Sequence, residues 1–202
     1  MYSMGIQMAI NYFKTQGYVA GGTLTNAHAQ DLAIDKLPPI LRVLLSTDGT
    51  VTKSIEGFFW EPIVVENLGQ GAVHLARALP ALELAHGAEV IERRVRLQGQ
   101  DSGDVYAYAE STLSLHLLPA RAREDLLARR LGIGELLRER GLETYREILD
   151  VGSESGVHLP ELFGDDAGDT LIYRSYRIYL NHRPAILVTE KFPLALYQRK
   201  RA

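Results

Sequence analysis

The sequence predicts an α+β fold built on a six-stranded, mainly antiparallel sheet with helices on one side. Six segments between residues 62 and 192 read as strands, either as short β-branched runs or by apolar–polar alternation. They are joined mostly by hairpin turns or helical excursions, whereas a parallel sheet needs a regular helix crossover after each strand. The length of 202 residues with 46% hydrophobic residues is one domain's worth of core. Such a chain buries about 70% of the surface it exposes when unfolded, so it needs no staples.

In chain order, residues 1–30 hold one charged side chain, Lys14, and are set apart as an N-terminal extension. A single domain is expected over 31–197, with a tail at 198–202. From Gln30 to Ser46 the spacing of Leu32, Ile34, Leu37, Ile40, Leu41, Leu44 and Leu45 suits one or two short helices divided by Pro38-Pro39. Thr47-Asp48-Gly49-Thr50 has turn composition, and a helix is expected over Val51 to Phe59. The first strand runs from Pro62 to Asn67. The second, Val90 to Gln98, alternates Ile91, Arg93, Val95 and Leu97 against Glu92, Arg94, Arg96 and Gln98. Asp101-Ser102-Gly103-Asp104 turns into a third strand, Val105 to Leu118. Arg121 to Arg140 reads as two helices broken at Gly132-Ile133-Gly134. Thr144 to Val151 is the fourth strand, and 153–169 is a loop or long excursion. Asp169–Leu180 and Ala185–Phe192 are the last strands, joined at Asn181-His182-Arg183-Pro184.

Composition excludes several classes of function. With no cysteine there is no disulfide, thiolate metal site, Fe–S cluster or thiol nucleophile. The six histidines are scattered without ligand spacing, so no metal site is expected. A net charge of −3 gives no basic field for nucleic acid. No run approaches the ~20 apolar residues of a membrane span. Ala27-His28-Ala29 lacks a basic region before it, so a secretory signal is rejected and a cytoplasmic protein is expected. The imbalance of 17 Arg against 5 Lys directs attention to carboxylate binding, because the guanidinium fork matches planar anions.

Strand phase separates those arginines. Arg93 shares its face with Ile91, Val95 and Leu97, and Glu190 is in phase with Ile186 and Val188. A buried charge must be paired or used. One reading is a structural ion pair between Arg93 and Glu190. The other is a pocket in which Arg93 anchors a substrate carboxylate and Glu190 serves the far end. Arg174 and Arg177 fall on opposite faces of a tyrosine-rich strand, so one of them lies among aromatic residues. The arginines of 121–140 alternate with glutamates in the manner of a solvated helix face.

Four segments resemble the chorismate pyruvate-lyase family, and more closely its less characterised branch: Leu37 to Glu56 (LPPILRVLLSTDGTVTKSIE), the Arg93 strand, Leu131–Leu136 (LGIGEL) and Arg183–Pro193 (RPAILVTEKFP). The resemblance implies a chorismate lyase-like fold, with two helical flaps over an enclosed site. It also implies a cofactor-independent conversion of chorismate to 4-hydroxybenzoate and pyruvate. By position, the arginine for the ring carboxylate falls on Arg93 and the carboxylate facing the ring hydroxyl on Glu190. The backbone contacts of the flaps fall on Leu136 and near Val51, and a recurrent arginine of the penultimate strand falls on Arg177. The partner implied is a small-molecule substrate, chorismate; no nucleic-acid or membrane partner is expected, and the chain is expected to be a monomer or small homo-oligomer. Ile133-Gly134-Glu135 departs from the usual flap sequence.

Two alternatives stand beside this one. The same fold serves as an effector-binding domain of some transcription regulators. That reading calls for a DNA-binding helix-turn-helix of about 60 residues, which a 30-residue start does not supply. The other is a related lyase acting on a different enolpyruvyl or cyclohexadiene acid.

Overall fold

The computed structural model describes residues 22–127, 132–139, 141–157, 160–163 and 168–199. Strands β1 (Thr23–Thr25) and β2 (Asp31–Ala33) form a small hairpin, followed by helices α1 (Pro39–Ser46) and α2 (Val51–Phe59). Then come β3 (Ile63–His74), β4 (Glu89–Gly99), β5 (Val105–Ser114), α3 (Ala120–Leu127), α4 (Ile133–Glu139) and β6 (Thr144–Ser155). The chain continues through α5 (Pro160–Phe163), β7 (Thr170–Leu180), β8 (Arg183–Pro193) and α6 (Leu194–Gln198). The main sheet has six strands in the order β3-β4-β5-β8-β7-β6, and every neighbouring pair is antiparallel.

Local chemistry sets many of these boundaries. Pro39 opens α1 at its first position, where its missing N–H costs nothing. Gly103 turns the β4–β5 connection with φ +75°. Asn181 and His182, at φ 49° and 63°, make the β7–β8 turn with both central residues left-handed.

The helices other than α5 gather on one face in two groups. At one end, α1, α2 and α6 bury Leu41, Leu44, Ile55, Phe59 and Tyr197 against Leu97, Tyr106 and Phe192. At the other, α3 and α4 bury Leu126, Leu136 and Leu137 against Ile91, Leu113, Ile178 and Ile186. Ile91 and Leu97 are six residues apart on β4 and therefore share a face. Both groups thus cover the same side of the sheet, and the gap between them lies over Arg93 and Val95. The opposite face carries a small cluster, Tyr108, Phe163 and Leu171, and the short helix α5. Beside it are the ion pairs Arg96–Glu66, Lys191–Glu154 and Arg177–Glu147.

Several elements differ from the sequence expectation. β3 and β6 continue past Asn67 and Val151, because pairing with β4 and β7 sustains glycine-containing stretches that have no strand propensity. β5 stops at Ser114. Leu115–Leu117 is a 3-10 turn that buries Leu115 and Leu118, three apart, and exposes His116, so its alternation only imitated a strand. The chain set apart as an extension joins the core from residue 22. Leu24 is buried, Asn26 donates to the Tyr173 hydroxyl at 3.2 Å, and the Ala27 amide donates to Asp150 at 3.0 Å. No helix among the described residues is long and apolar enough to cross a membrane.

Candidate active site

The gap between the two helical groups is a cavity of about 200 Å3. Its floor is sheet: Arg93 and Val95 on β4, Ala109 and Ser111 on β5, Val188 and Glu190 on β8, and Tyr176 and Ile178 on β7. Two segments roof it. The first runs from Gly49 through the opening turn of α2, including Val51 and Lys53; the second is Gly132, Ile133, Gly134 and Arg138 at α4. An apolar cavity of about 150 Å3 holds a benzene molecule. This space suits one six-membered ring with short substituents.

Arg93 is 3% exposed, and its Nε is buried without a hydrogen-bond partner. It forms no ion pair with a carboxylate among the described residues. Burial lowers its pKa from the ordinary range. A guanidinium stays protonated all the same, so the cavity holds an uncompensated positive charge. Such a charge is costly until an anion arrives.

Glu190 is not its companion. Register places Glu190 opposite Arg174 on β7 and Ala109 on β5, while Arg93 lies opposite Ser111. Arg93 and Glu190 are therefore two strands apart sideways and two residues apart lengthwise, roughly 12 Å between Cα positions. The buried ion pair exists, but its cation is Arg174, whose Nε donates to Glu190 Oε2 at 2.7 Å. Tyr176 donates to Glu190 Oε1 at 3.1 Å. Burial first, and then the Glu190 charge, raise the Tyr176 pKa, so the phenol stays a donor. Arg174 is 1% exposed, stacks 4.7 Å over the Tyr176 ring, and donates through Nη1 to the Thr47 carbonyl at 2.7 Å. Glu190 is thus an oriented carboxylate with a guanidinium behind it, where strand phase alone gave an apolar setting.

The other expected site residues are dispersed. Val51 is buried and lines the cavity at the start of α2. Leu136 does not line it: its side chain is in the core, and its amide donates to the Gly132 carbonyl at 2.9 Å. The helix consumes that amide, and the wall there is made by Gly132, Ile133 and Gly134. Arg177 is on the opposite face of β7, where it donates to Glu147 at 2.8 Å and to the Ala81 carbonyl at 3.0 Å. It braces the sheet against the 80–82 turn, away from the cavity.

Sequence reading passed over Arg146, Arg138 and the role of Arg174. Arg174 is in phase with Tyr176 and Ile178, which was a usable signal. Arg146 is in phase with Ile148, which packs on both core clusters. Arg138 sits among helix charges and carries no signal of its own. Arg138 and Arg146 line the cavity, and neither pairs with a carboxylate among the described residues. Lys53 is matched by Glu56 at 2.6 Å. Among the described residues, the cavity therefore has three guanidiniums without a carboxylate partner, and its two carboxylates, Glu56 and Glu190, already have their cations. No cluster of three or more His, Asp or Glu among the described residues is placed to hold a metal ion.

A partly open, cationic, ring-sized cavity on an antiparallel sheet fits a small organic anion. The chain belongs to the Rv2949c-like chorismate pyruvate-lyase family, whose model matches residues 45–200. Among its relatives, the chorismate pyruvate-lyase of Mycobacterium leprae (strain TN) is 31% identical over 179 residues, covering 87% of this chain and 84% of the relative. That of Mycobacterium tuberculosis (strain CDC 1551 / Oshkosh) is 24% identical over 185 residues, covering 87% and 90%. Among solved structures, PhnF from Mycobacterium smegmatis shares the fold with a TM-score of 0.57 at 13% identity, over 73% of this chain and 65% of that one. A GntR-family transcriptional regulator from Bacillus cereus does so with a TM-score of 0.52 at 11% identity, over 69% and 97%.

Proposed function

We propose that this protein is a lyase that eliminates pyruvate from chorismate to leave 4-hydroxybenzoate. The observation that carries the reading is the buried, unpaired guanidinium of Arg93 facing a ring-sized cavity, with the oriented carboxylate Glu190 at its far end. Family membership and the names of the relatives support the same reaction.

In this mechanism Arg93 takes the ring carboxylate through two parallel hydrogen bonds, strengthened by the water-poor cavity. That fixes the ring with its para carbon toward Glu190. Glu190, held by Arg174 and Tyr176, accepts a hydrogen bond from the C4 hydroxyl, which stays on the ring as the phenol. The C4–H bond breaks and its electron pair enters the ring. The C3–O bond breaks and its pair leaves with enolpyruvate. The proton lost from C4 is balanced by one gained at the enolpyruvyl methylene carbon, giving pyruvate. Aromatisation drives the step, so the protein's contribution is positioning and stabilisation of a modest charge shift. The two roof segments exclude water and also enclose the aromatic product, which makes release a slow step.

The test is incubation of the purified protein with chorismate, following 4-hydroxybenzoate by ultraviolet absorbance and pyruvate by a coupled assay. Equimolar release of both is expected. Folded protein that releases neither would sink the lyase reading. The fold shared with a GntR-family regulator supports a second reading, an effector-binding domain. Under it, 4-hydroxybenzoate binds to the same cavity and chorismate is never turned over.

A further inference from the structure

We propose that Arg146 and Arg138 form a second carboxylate subsite, which takes the enolpyruvyl carboxylate of the substrate and ties the two roof segments together. The inference rests on the lyase reading, and it goes beyond the ring-carboxylate and ring-hydroxyl contacts.

Charge is the first support. Chorismate carries two carboxylates, and Arg93 answers only one. Of the cations lining the cavity, Lys53 is neutralised by Glu56, while Arg138 and Arg146 have no carboxylate partner among the described residues. Two unmatched guanidiniums converging on one cavity fit a second planar anion.

Position is the second. Arg146 is on β6, four strands across the sheet from Arg93 on β4, which is roughly 19 Å between Cα positions. Two long side chains reaching inward over that span leave room between their heads for one ring and one short arm. A molecule with a single carboxylate on its ring spans only the Arg93 end.

The third support is how Arg146 is held. Its Nη1 donates to the Asp48 carbonyl in the first roof segment. Its Nη2 lies 4.0 Å from where a Cβ on Gly134 would stand, and that same point is 3.6 Å from Thr50 Oγ1. Arg146 is therefore at the seam where the two segments meet, and Arg138 reaches the same cavity from the second segment. A carboxylate bound across both arginines joins β6, the 48–50 turn and α4 into one closed unit. After elimination that carboxylate leaves on pyruvate, and the seam loses its tie while the aromatic product is still on Arg93. Substrate closes the roof more firmly than product does.

The experiment compares chorismate with 4-hydroxybenzoate, which has no second carboxylate, in Arg146→Met, Arg138→Met and Arg93→Met. A lost charge-assisted contact weakens binding roughly tenfold or more. The expected result is that Arg146→Met and Arg138→Met each raise KM for chorismate by about that factor, with the inhibition constant of 4-hydroxybenzoate moving less than about twofold. Arg93→Met weakens both ligands. If either variant weakens the two ligands equally, or leaves KM for chorismate unchanged, the subsite is overturned. Arg138 is exposed on a helix and its variant reads the subsite even if Arg146→Met unfolds; Arg146→Lys, which keeps the charge, should recover part of the chorismate affinity. If the wild-type protein binds chorismate without turnover, the lyase reading fails. The subsite is then tested by the same ratio of the two ligands in calorimetric titration.

Discussion

Arg93 and Arg174 are buried to nearly the same degree and do opposite things for the fold. Arg174 has a carboxylate at 2.7 Å, so Arg174→Met leaves Glu190 as an unpaired buried anion. Breaking a buried pair in this way costs roughly 3–5 kcal/mol. Arg93 has no such partner, and replacing it with an apolar side chain removes a desolvated charge. Arg93→Met should therefore raise the stability of the ligand-free protein by about 1 kcal/mol while abolishing binding of 4-hydroxybenzoate. Urea denaturation of both variants, paired with ligand titration, reads the two signs. If Arg93→Met destabilises as much as Arg174→Met, Arg93 is a structural residue and the anion site is elsewhere.

At the scale of elements, the roof is set by its two ends. α2 ends on Trp60, which is 89% exposed and sits at φ 59°, a left-handed conformation that suits glycine. The indole buries nothing in exchange for that conformation. Trp60→Gly should stabilise by about 1 kcal/mol and raise Tm by roughly 2–4 °C in a scanning calorimeter. Trp60 is also the chain's one tryptophan, so its fluorescence reports on the C-terminal end of α2, the end away from the cavity roof, without labelling.

Just beyond it, Glu61 clamps the β4–β5 turn, accepting from the amides of Asp101 and Ser102 at 3.0 Å each and from the hydroxyls of Ser102 and Tyr106. Burial works to raise the Glu61 pKa, but these hydrogen bonds together hold it below its ordinary value of 4.5. A carboxyl whose folded pKa is depressed stabilises the fold fully above its unfolded pKa and loses that contribution as pH falls through the folded value. The wild-type protein should thus lose stability below about pH 4.5 more steeply than Glu61→Gln does. Denaturation midpoints between pH 7 and pH 3 measure this, and parallel curves for the two proteins would rule it out.

For the whole molecule, the cavity lies between two separate apolar clusters on one face of a single sheet. A ligand there touches both halves of the helical layer, so binding and global stability are linked. At one hundred times its dissociation constant a ligand adds about 2.7 kcal/mol, which is roughly 5–10 °C in Tm for a chain of this length. 4-Hydroxybenzoate should produce that shift in the wild-type protein and none in Arg93→Met. A flat melting temperature across a ligand concentration series would show that the cavity does not take it.

Period-two alternation made the architecture and the inward face of Arg93 legible, because side-chain direction along a strand is a local property. The strand pairing of β3 beyond Asn67 was illegible for the complementary reason: glycines there carry no propensity, and only β4 makes that stretch a strand. The seam at Arg146 was equally hidden, since it needs the 48–50 turn, α4 and β6 to meet. The chain by itself determined that Arg93 and Glu190 turn inward, and left open whether they pair with each other or line a pocket for a carboxylate. Tertiary structure alone decided that Glu190 pairs with Arg174 and leaves Arg93 without a carboxylate among the described residues. Partner choice depends on the register between strands far apart in sequence, and no local pattern encodes it.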